Sequence, residues 1–283
     1  VKTPSLRLSC LPVSYFPDLI SGKMGLSDWI EEGAGFGLTA VDVSRHFFQG
    51  PKRVERIKET KAALEKTGME LALFNTYPRL VQASRESRSR ELEQLLADIA
   101  VAGEAGAAFV RLVAGEADPD IPKPQGVAWV VEGFERAAEA AEKHGVGLVF
   151  ENHSKPGSWE HPDFAFDPEV YFSIVDAIKH LPISLLFDTA NAAAAGCDPL
   201  DFLKRIYRKT SCIHAADTTT FGTFAPCPIG TGAVQFTPLF CYLKEKGFPG
   251  YVSIEEASFK GHEGVREAID YIKEVWKDDS HCG

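Results

Sequence analysis

Four side chains in the second half of the chain, Glu151, Asp188, His214 and Glu255, stand at the ends of short apolar runs. The runs read VGLVFENHS at Gly147–Ser154, ISLLFDTAN at Ile183–Asn191, TSCIHAADT at Thr210–Thr218 and YVSIEEAS at Tyr251–Ser258. Carboxylate and imidazole donors without thiolate suit Mn²⁺, Mg²⁺, Co²⁺ or Zn²⁺. Three acids and a histidine are costly to gather away from water unless a cation compensates them. Taken singly, a strand-end Asp caps the next helix and a lone His is a hydrogen-bonded polar group. Four such endings in succession, with helix-like sequence between them, predict one divalent metal ion held where the strand ends converge.

The elements that must position these groups are legible as an eightfold alternation. Strand-like runs lie near Leu6–Leu11, Ala40–Ser44, Leu71–Asn75, Ala108–Val113, Gly147–Glu151, Ser184–Asp188, Ser211–His214 and Val252–Glu255. Their spacing of roughly 35 residues is that of a βα unit in a barrel of about 250 residues. Between them, Pro51–Thr67, Glu86–Ala105 and Pro124–His144 read as helices that stop at Gly68, Gly106 and Gly145, with Pro51 at a first helical position. Asp167-Pro168 and Asp198-Pro199 read as cap-and-start pairs. With no Gly/Ser-rich linker, the expectation is a single-domain α/β protein over residues 1–283, a (β/α)8 TIM barrel whose active site lies at the C-terminal ends of the strands. An open doubly wound sheet needs a phosphate-binding glycine fingerprint after its first strand. Gly33-Ala34-Gly35-Phe36-Gly37 falls between a helix and the second strand instead, so it is not read as a nucleotide loop.

The composition narrows the partners. The 283 residues are 45% hydrophobic and carry a formal charge of −10, with a sequence pI of about 5.3. So acidic a surface repels phosphate backbones, so no nucleic acid is expected. No apolar stretch reaches membrane-spanning length, and VKTPSLRLSC lacks the h-region of a signal peptide, leaving open whether residues precede Val1. Cys10, Cys197, Cys212, Cys227, Cys241 and Cys282 form no C-x-x-C and are read as reduced thiols, mostly small core residues, which makes a cytoplasmic location the default. A homo-oligomer is left open.

The segments FENH, FDTAN, IHAAD and SIEE, with PIGTG at Pro228–Gly232, resemble the xylose-isomerase-like superfamily of sugar and sugar-phosphate isomerases and epimerases. The resemblance follows nearly the whole chain in strand order, with its specific motifs from Gly145 onward. It implies that Glu151, Asp188, His214 and Glu255 are the metal ligands, with Glu256 competing for the last place. Strand alternation sends Ser253 and Glu255 to one face and Ile254 and Glu256 to the other, and apolar Val252 and Ile254 suit an outer face, which favours Glu255. The implied activity is isomerisation or epimerisation of a small carbohydrate or keto-polyol by proton transfer through a metal-stabilised enediolate. In the epimerase branch the two metal-bound glutamates flank the substrate as the base–acid pair, which by resemblance makes Glu151 and Glu255 the catalytic residues. Binding an ion lowers their basicity, so their strength must come from a dry, closed pocket.

Further residues read as substrate contacts. His153, two beyond Glu151, is placed to hold a hydroxyl or orient Glu151. Asn191 stands where many relatives have the His of D-T-x-H, and an amide cannot shuttle a proton, which puts a close match to ketose 3-epimerases in doubt. Asp217 binds substrate or braces its loop. Arg111 binds an anionic substrate group or forms an inter-strand ion pair. Trp159 and Phe48 are candidates for pocket lining, and the loop Thr218–Gly232 for a lid or an oligomer contact. Three rivals share the scaffold. A dehydratase of a keto-polyol such as an inosose starts with the same proton abstraction and then expels a β-hydroxyl. A repair endonuclease needs additional histidines that this chain lacks. A non-catalytic sugar-binding barrel would have no reason to keep four ligands.

Overall fold

Each β-rich run turns alternate residues to opposite sides, and that alternation determines the architecture. A computed structural model describes residues 5–278, 280 and 282; the ends of the 1–283 domain reading therefore lie in part outside the described residues. The strands are β1 (Arg7–Pro12), β2 (Ala40–Ser44), β3 (Glu70–Asn75), β4 (Ala107–Leu112), β5 (Gly147–Glu151), β6 (Ile183–Asp188), β7 (Thr210–Ala215) and β8 (Tyr251–Glu256). The helices are α1 (Phe16–Ser21), α2 (Leu26–Gly35), α3 (Arg53–Thr67), α4 (Arg85–Ala105), α5 (Lys123–His144), α6 (Pro168–Ala177), α7 (Thr189–Ala194), α8 (Pro199–Ile206), α9 (Phe236–Glu245) and α10 (His262–Lys277). All strand pairs are parallel, in the order β1-β8-β7-β6-β5-β4-β3-β2. The two ends of that order meet where Thr39 donates from its backbone N–H and its hydroxyl to the Leu8 carbonyl, at 2.9 and 3.1 Å. The result is a nearly closed single-domain TIM barrel, as expected.

Outward-facing Val41, Val43, Phe74, Val110, Phe150, Phe187, Ile213 and Ile254 pack against the helices in one continuous core. Each such side chain, fully buried, contributes roughly 1.5–3 kcal/mol, so this layer carries most of the stability. A smaller apolar cluster including Phe109, Val149, Leu186, Cys212 and Tyr251 fills the barrel interior. Two residues further along the same inward rows stand Arg111, Glu151, Asp188, His214 and Ser253, all buried. The period of two thus places a polar layer directly on an apolar floor.

Helices α3, α4 and α5 end on left-handed Gly68, Gly106 and Gly145. Asp167 and Asp198 cap α6 and α8 by accepting from the N–H groups of Glu169 and Asp201. Pro51 is not a first helical residue. The chain turns at Gly50, whose carbonyl accepts from Arg53 N–H at 3.3 Å, and α3 begins only at Arg53. Gly33 and Gly35 lie inside α2. The reading of all six cysteines as reduced thiols is corrected. Cys10 and Cys212 are buried thiols and Cys197 and Cys227 are free, but Cys241 on α9 is disulfide-bonded to Cys282. Their separation of 41 residues forms no local motif, and the pairing requires the tail after α10 to return to α9. Among the described residues no helix is long and apolar enough to cross a membrane.

Candidate metal centre and active site

The strand ends bring Glu151, Asp188, His214 and Glu255 together, each offering one donor atom within 4.8 Å of the others. His214 Nδ1 lies 2.7 Å from Glu151 Oε1 and 3.2 Å from Glu255 Oε2. Donors about 2.1 Å from a common cation stand roughly 3–3.5 Å apart, so the spacing fits a divalent ion. Glu255, not Glu256, turns inward. Glu256 faces away from the cluster, its Oε1 accepting from Ser258 N–H at 2.7 Å.

The electrostatics also favour a cation. Burial, with the charges of Glu255 and Glu151 added, pushes the Asp188 carboxyl well above its ordinary range. Burial opposes the charge on His214 too, yet the charge of Glu151, the nearby Asp42 carboxylate and hydrogen bonding to Glu151 and Glu255 raise it well above an ordinary histidine. Glu151 moves the other way. Against its burial, Arg111 and His214 hold its carboxyl at about 2. For Glu255, burial is outweighed by the hydrogen bond and charge of His214, and the carboxyl is lowered. Without a metal, the site uses a proton on imidazole and a buried guanidinium to offset its carboxylates.

Local structure holds the cluster in place. Asp188 caps α7, its Oδ1 accepting from Asn191 N–H at 2.6 Å. Asn152 clamps the Asp188 peptide, donating to its carbonyl at 2.9 Å and accepting from its N–H at 2.8 Å. Thr189 donates to the Ala216 carbonyl at 2.6 Å and ties the end of β6 to the chain leaving β7.

Arg111, expected as a possible binder of substrate anions, is only 1% exposed. It donates to Glu151 Oε2 at 3.0 Å and to the Thr76 carbonyl at 3.2 Å, beneath the Tyr77 ring. Burial works against its charge, but Glu151 and Tyr77 raise its pKa. It is the inter-strand ion pair of the alternative reading, because its inward row points at β5 rather than at solvent.

A cavity of about 50 Å³ opens onto the cluster, lined by Asp188, Glu255, His153, Asn191, Asp217 and Phe224 among others. Glu255 is 28% exposed on its side chain, while Glu151 is sealed beneath at 0%. His153 packs edge-on against Trp159 and sets Nδ1 3.4 Å from Asp163 Oδ2. Asp163 is in turn held by the N–H groups of Gly115 and Ala165 at 3.0 and 2.7 Å. Trp159 therefore braces His153 and is not part of the cavity wall. Phe48 is buried against Phe74. Asp217 is the loop brace. Its two oxygens accept from the N–H groups of Thr218, Gly230, Gly232 and Val234 at 2.9–3.1 Å. A larger polar cavity of about 480 Å³ between Arg45, Tyr77 and Asp98 is lined by none of the four clustered side chains.

Asn152, Asp163 and Asp42 were not singled out from sequence. Asn152 sits inside the FENH motif, and Asp42 is a charged residue flanked by valines in a wholly buried strand, which is the signal that could have found it.

A family model described as xylose isomerase-like TIM barrel matches residues 30–275. An inosose dehydratase of Geobacillus kaustophilus (strain HTA426) is 25% identical over 282 residues, spanning 88% of this chain and 86% of that protein. The structure of 3-keto-D-glucoside 4-epimerase, YcjR, from E. coli superposes with a TM-score of 0.76 at 14% identity, over 96% of this chain and 99% of that one. That of IolI protein with a binding zinc atom gives 0.75 at 17% identity, over 96% and 98%. At these identities the two structures speak to the fold.

Proposed function

Since the chain belongs to the xylose isomerase-like TIM barrel family, we propose that it is a divalent-metal-dependent enzyme acting on a small keto-polyol, and that its reaction is dehydration. The observation that carries this reading is an asymmetry. Of the two cluster glutamates only Glu255 reaches the cavity, and His153, which is not one of the four clustered side chains, stands on the same wall. The similarity to an inosose dehydratase supports the substrate class.

Glu151, Asp188, His214 and Glu255 would hold the ion. When bound, the ion supplies a Lewis acid for the substrate's carbonyl and adjacent hydroxyl, stabilising the charge left by C–H ionisation. Glu255 takes the proton from the carbon beside the carbonyl. His153 gives its proton to the β-hydroxyl, the C–O bond breaks, and water and an enone leave. Asp163, with Oδ2 3.4 Å from Nδ1, fixes the orientation of the ring. Glu255 then returns its proton to solvent and His153 is reprotonated. Arg111 and His214 keep Glu151 anionic and fixed in place. A cavity of 50 Å³ holds only one or two waters, so the Thr218–Gly232 loop, which contributes Phe224 and Cys227 to the wall, must shift to admit a ring and then exclude water.

An epimerase reading rests on a different observation, that Glu151 and Glu255 belong to one cluster, and it requires Glu151 to open to the substrate as the second base. Incubating the Mn²⁺- or Co²⁺-loaded protein with inososes and ketoses separates the two. New enone absorbance and loss of water by mass spectrometry support dehydration. Stereochemical inversion without water loss supports epimerisation. A protein that binds no divalent ion refutes both.

A further inference from the structure

Behind the cluster lies a carboxylate that the chemistry above does not use. Asp42, in the middle of β2, is wholly buried between Val41 and Val43, whose side chains pack among the helices. Its Oδ2 accepts a hydrogen bond from Ser253 Oγ and stands 3.7 Å from His214 Nε2. Asp42 Oδ1 and His214 Nε2 have no hydrogen-bond partner. The other ring nitrogen, Nδ1, is the one that meets Glu151 and Glu255.

An imidazole that offers the Nδ1 lone pair to a cation must carry its proton on Nε2. In this barrel Nε2 is sealed from water, and the acceptor it faces is Asp42. Resting on the metal-site reading, we infer that Asp42 is a positioning residue for His214: it accepts the Nε2–H, selects that tautomer, and strengthens Nδ1 as a ligand. Ser253 completes the device. It is the register partner of His214 between β7 and β8, and it stands two residues before Glu255 on the same inward row. Its hydroxyl holds the Asp42 carboxylate from across β1. One network thus links β2, which supplies no ligand, to two strands that do. Buried carboxylates of this kind behind a metal-bound histidine typically change metal affinity ten- to a hundredfold when removed.

Zn²⁺ and Mn²⁺ affinities measured by chelator competition on the full chain, together with ¹⁵N NMR of histidine-labelled Zn²⁺ protein, test the assignment. Asp42→Ala is expected to weaken binding about ten- to a hundredfold. Asp42→Asn, which keeps an acceptor but not the charge, should fall between Asp42→Ala and wild type, and Ser253→Ala should lose severalfold. The wild-type spectrum should show His214 bound through Nδ1 with its proton on Nε2, and Asp42→Ala should broaden or shift that Nε2 signal. A merely structural role would lower the melting temperature and leave the nitrogen pattern unchanged. If Asp42→Ala fails to fold, Asp42→Asn and Ser253→Ala decide. Affinities within twofold of wild type in those two variants, or His214 bound through Nε2, overturn the assignment alone. A wild-type chain that binds neither ion removes the metal reading and this assignment with it.

Discussion

Glu151 and Glu255 carry the same functional group at one cluster, but their surroundings give them different chemistry. Glu151 is sealed and paired with Arg111; Glu255 is partly open to the cavity. Glu255→Gln should therefore cut kcat by roughly 10²–10⁴, the usual contribution of a general base. Glu151→Gln should instead act on the fold, costing about 3–5 kcal/mol in denaturant titrations because it leaves a buried guanidinium unpaired. His153→Asn should abolish water loss while still exchanging the substrate's α-hydrogen with deuterated solvent; loss of both would move His153 out of the acid role. The protonation states also set a pH dependence. His214 and Asp188 are raised in the folded protein, so their contribution falls as pH climbs through those raised values. Glu151, lowered from 4.5 to about 2, contributes above 4.5 and its contribution is lost as pH falls towards 2. Metal-free protein should therefore lose stability at both ends. The alkaline decline should disappear on loading, because a metal replaces the protons on His214 and Asp188. Urea titrations from about pH 2 to 9, with EDTA or with Mn²⁺, measure this.

At the scale of elements, the loop after β7 owes its shape to one carboxylate and one missing side chain. Asp217 gathers four backbone donors, and a Cβ on Gly232 would stand 2.3 Å from the Thr218 carbonyl and 2.5 Å from Asp217 Oδ1. Gly232→Ala should push that loop off the cavity, costing about 1–3 kcal/mol locally. Faster proteolysis within residues 219–227 and a raised KM are the expected readouts; an unchanged cleavage pattern would show that the loop is held by other contacts. The tail after α10 is a second such case. Its disulfide to α9 closes a separation of 41 residues, for which chain entropy gives about 4 kcal/mol, so denaturation with and without reductant should differ by up to that amount.

At the scale of the molecule, the barrel separates stability from chemistry: an outer apolar shell holds the fold while the inward polar layer carries opposed charges. Saturating metal at about 1,000 times its Kd should add about 4 kcal/mol, read as a rise of roughly 5–10 °C in Tm that EDTA reverses. The strands, the helix stops at Gly68, Gly106 and Gly145, the four side chains that cluster and the inward turn of Glu255 over Glu256 were all legible from sequence, because they follow from local periodicity and from the fixed alternation of side chains along a strand. Contacts between distant strands were not. Arg111 could be placed on an inward row, but only the closed barrel set it against Glu151 and the Thr76 carbonyl. Asp217 could be placed near the site, but only the fold of its loop turned it towards four backbone N–H groups. Asp42 and Ser253 are 211 residues apart, and Cys241 meets Cys282 only because the tail folds back. Sequence alone determined which groups stand at the strand ends; tertiary structure decided which of them face each other, because partner choice in a barrel depends on closure across its interior, which no local pattern records.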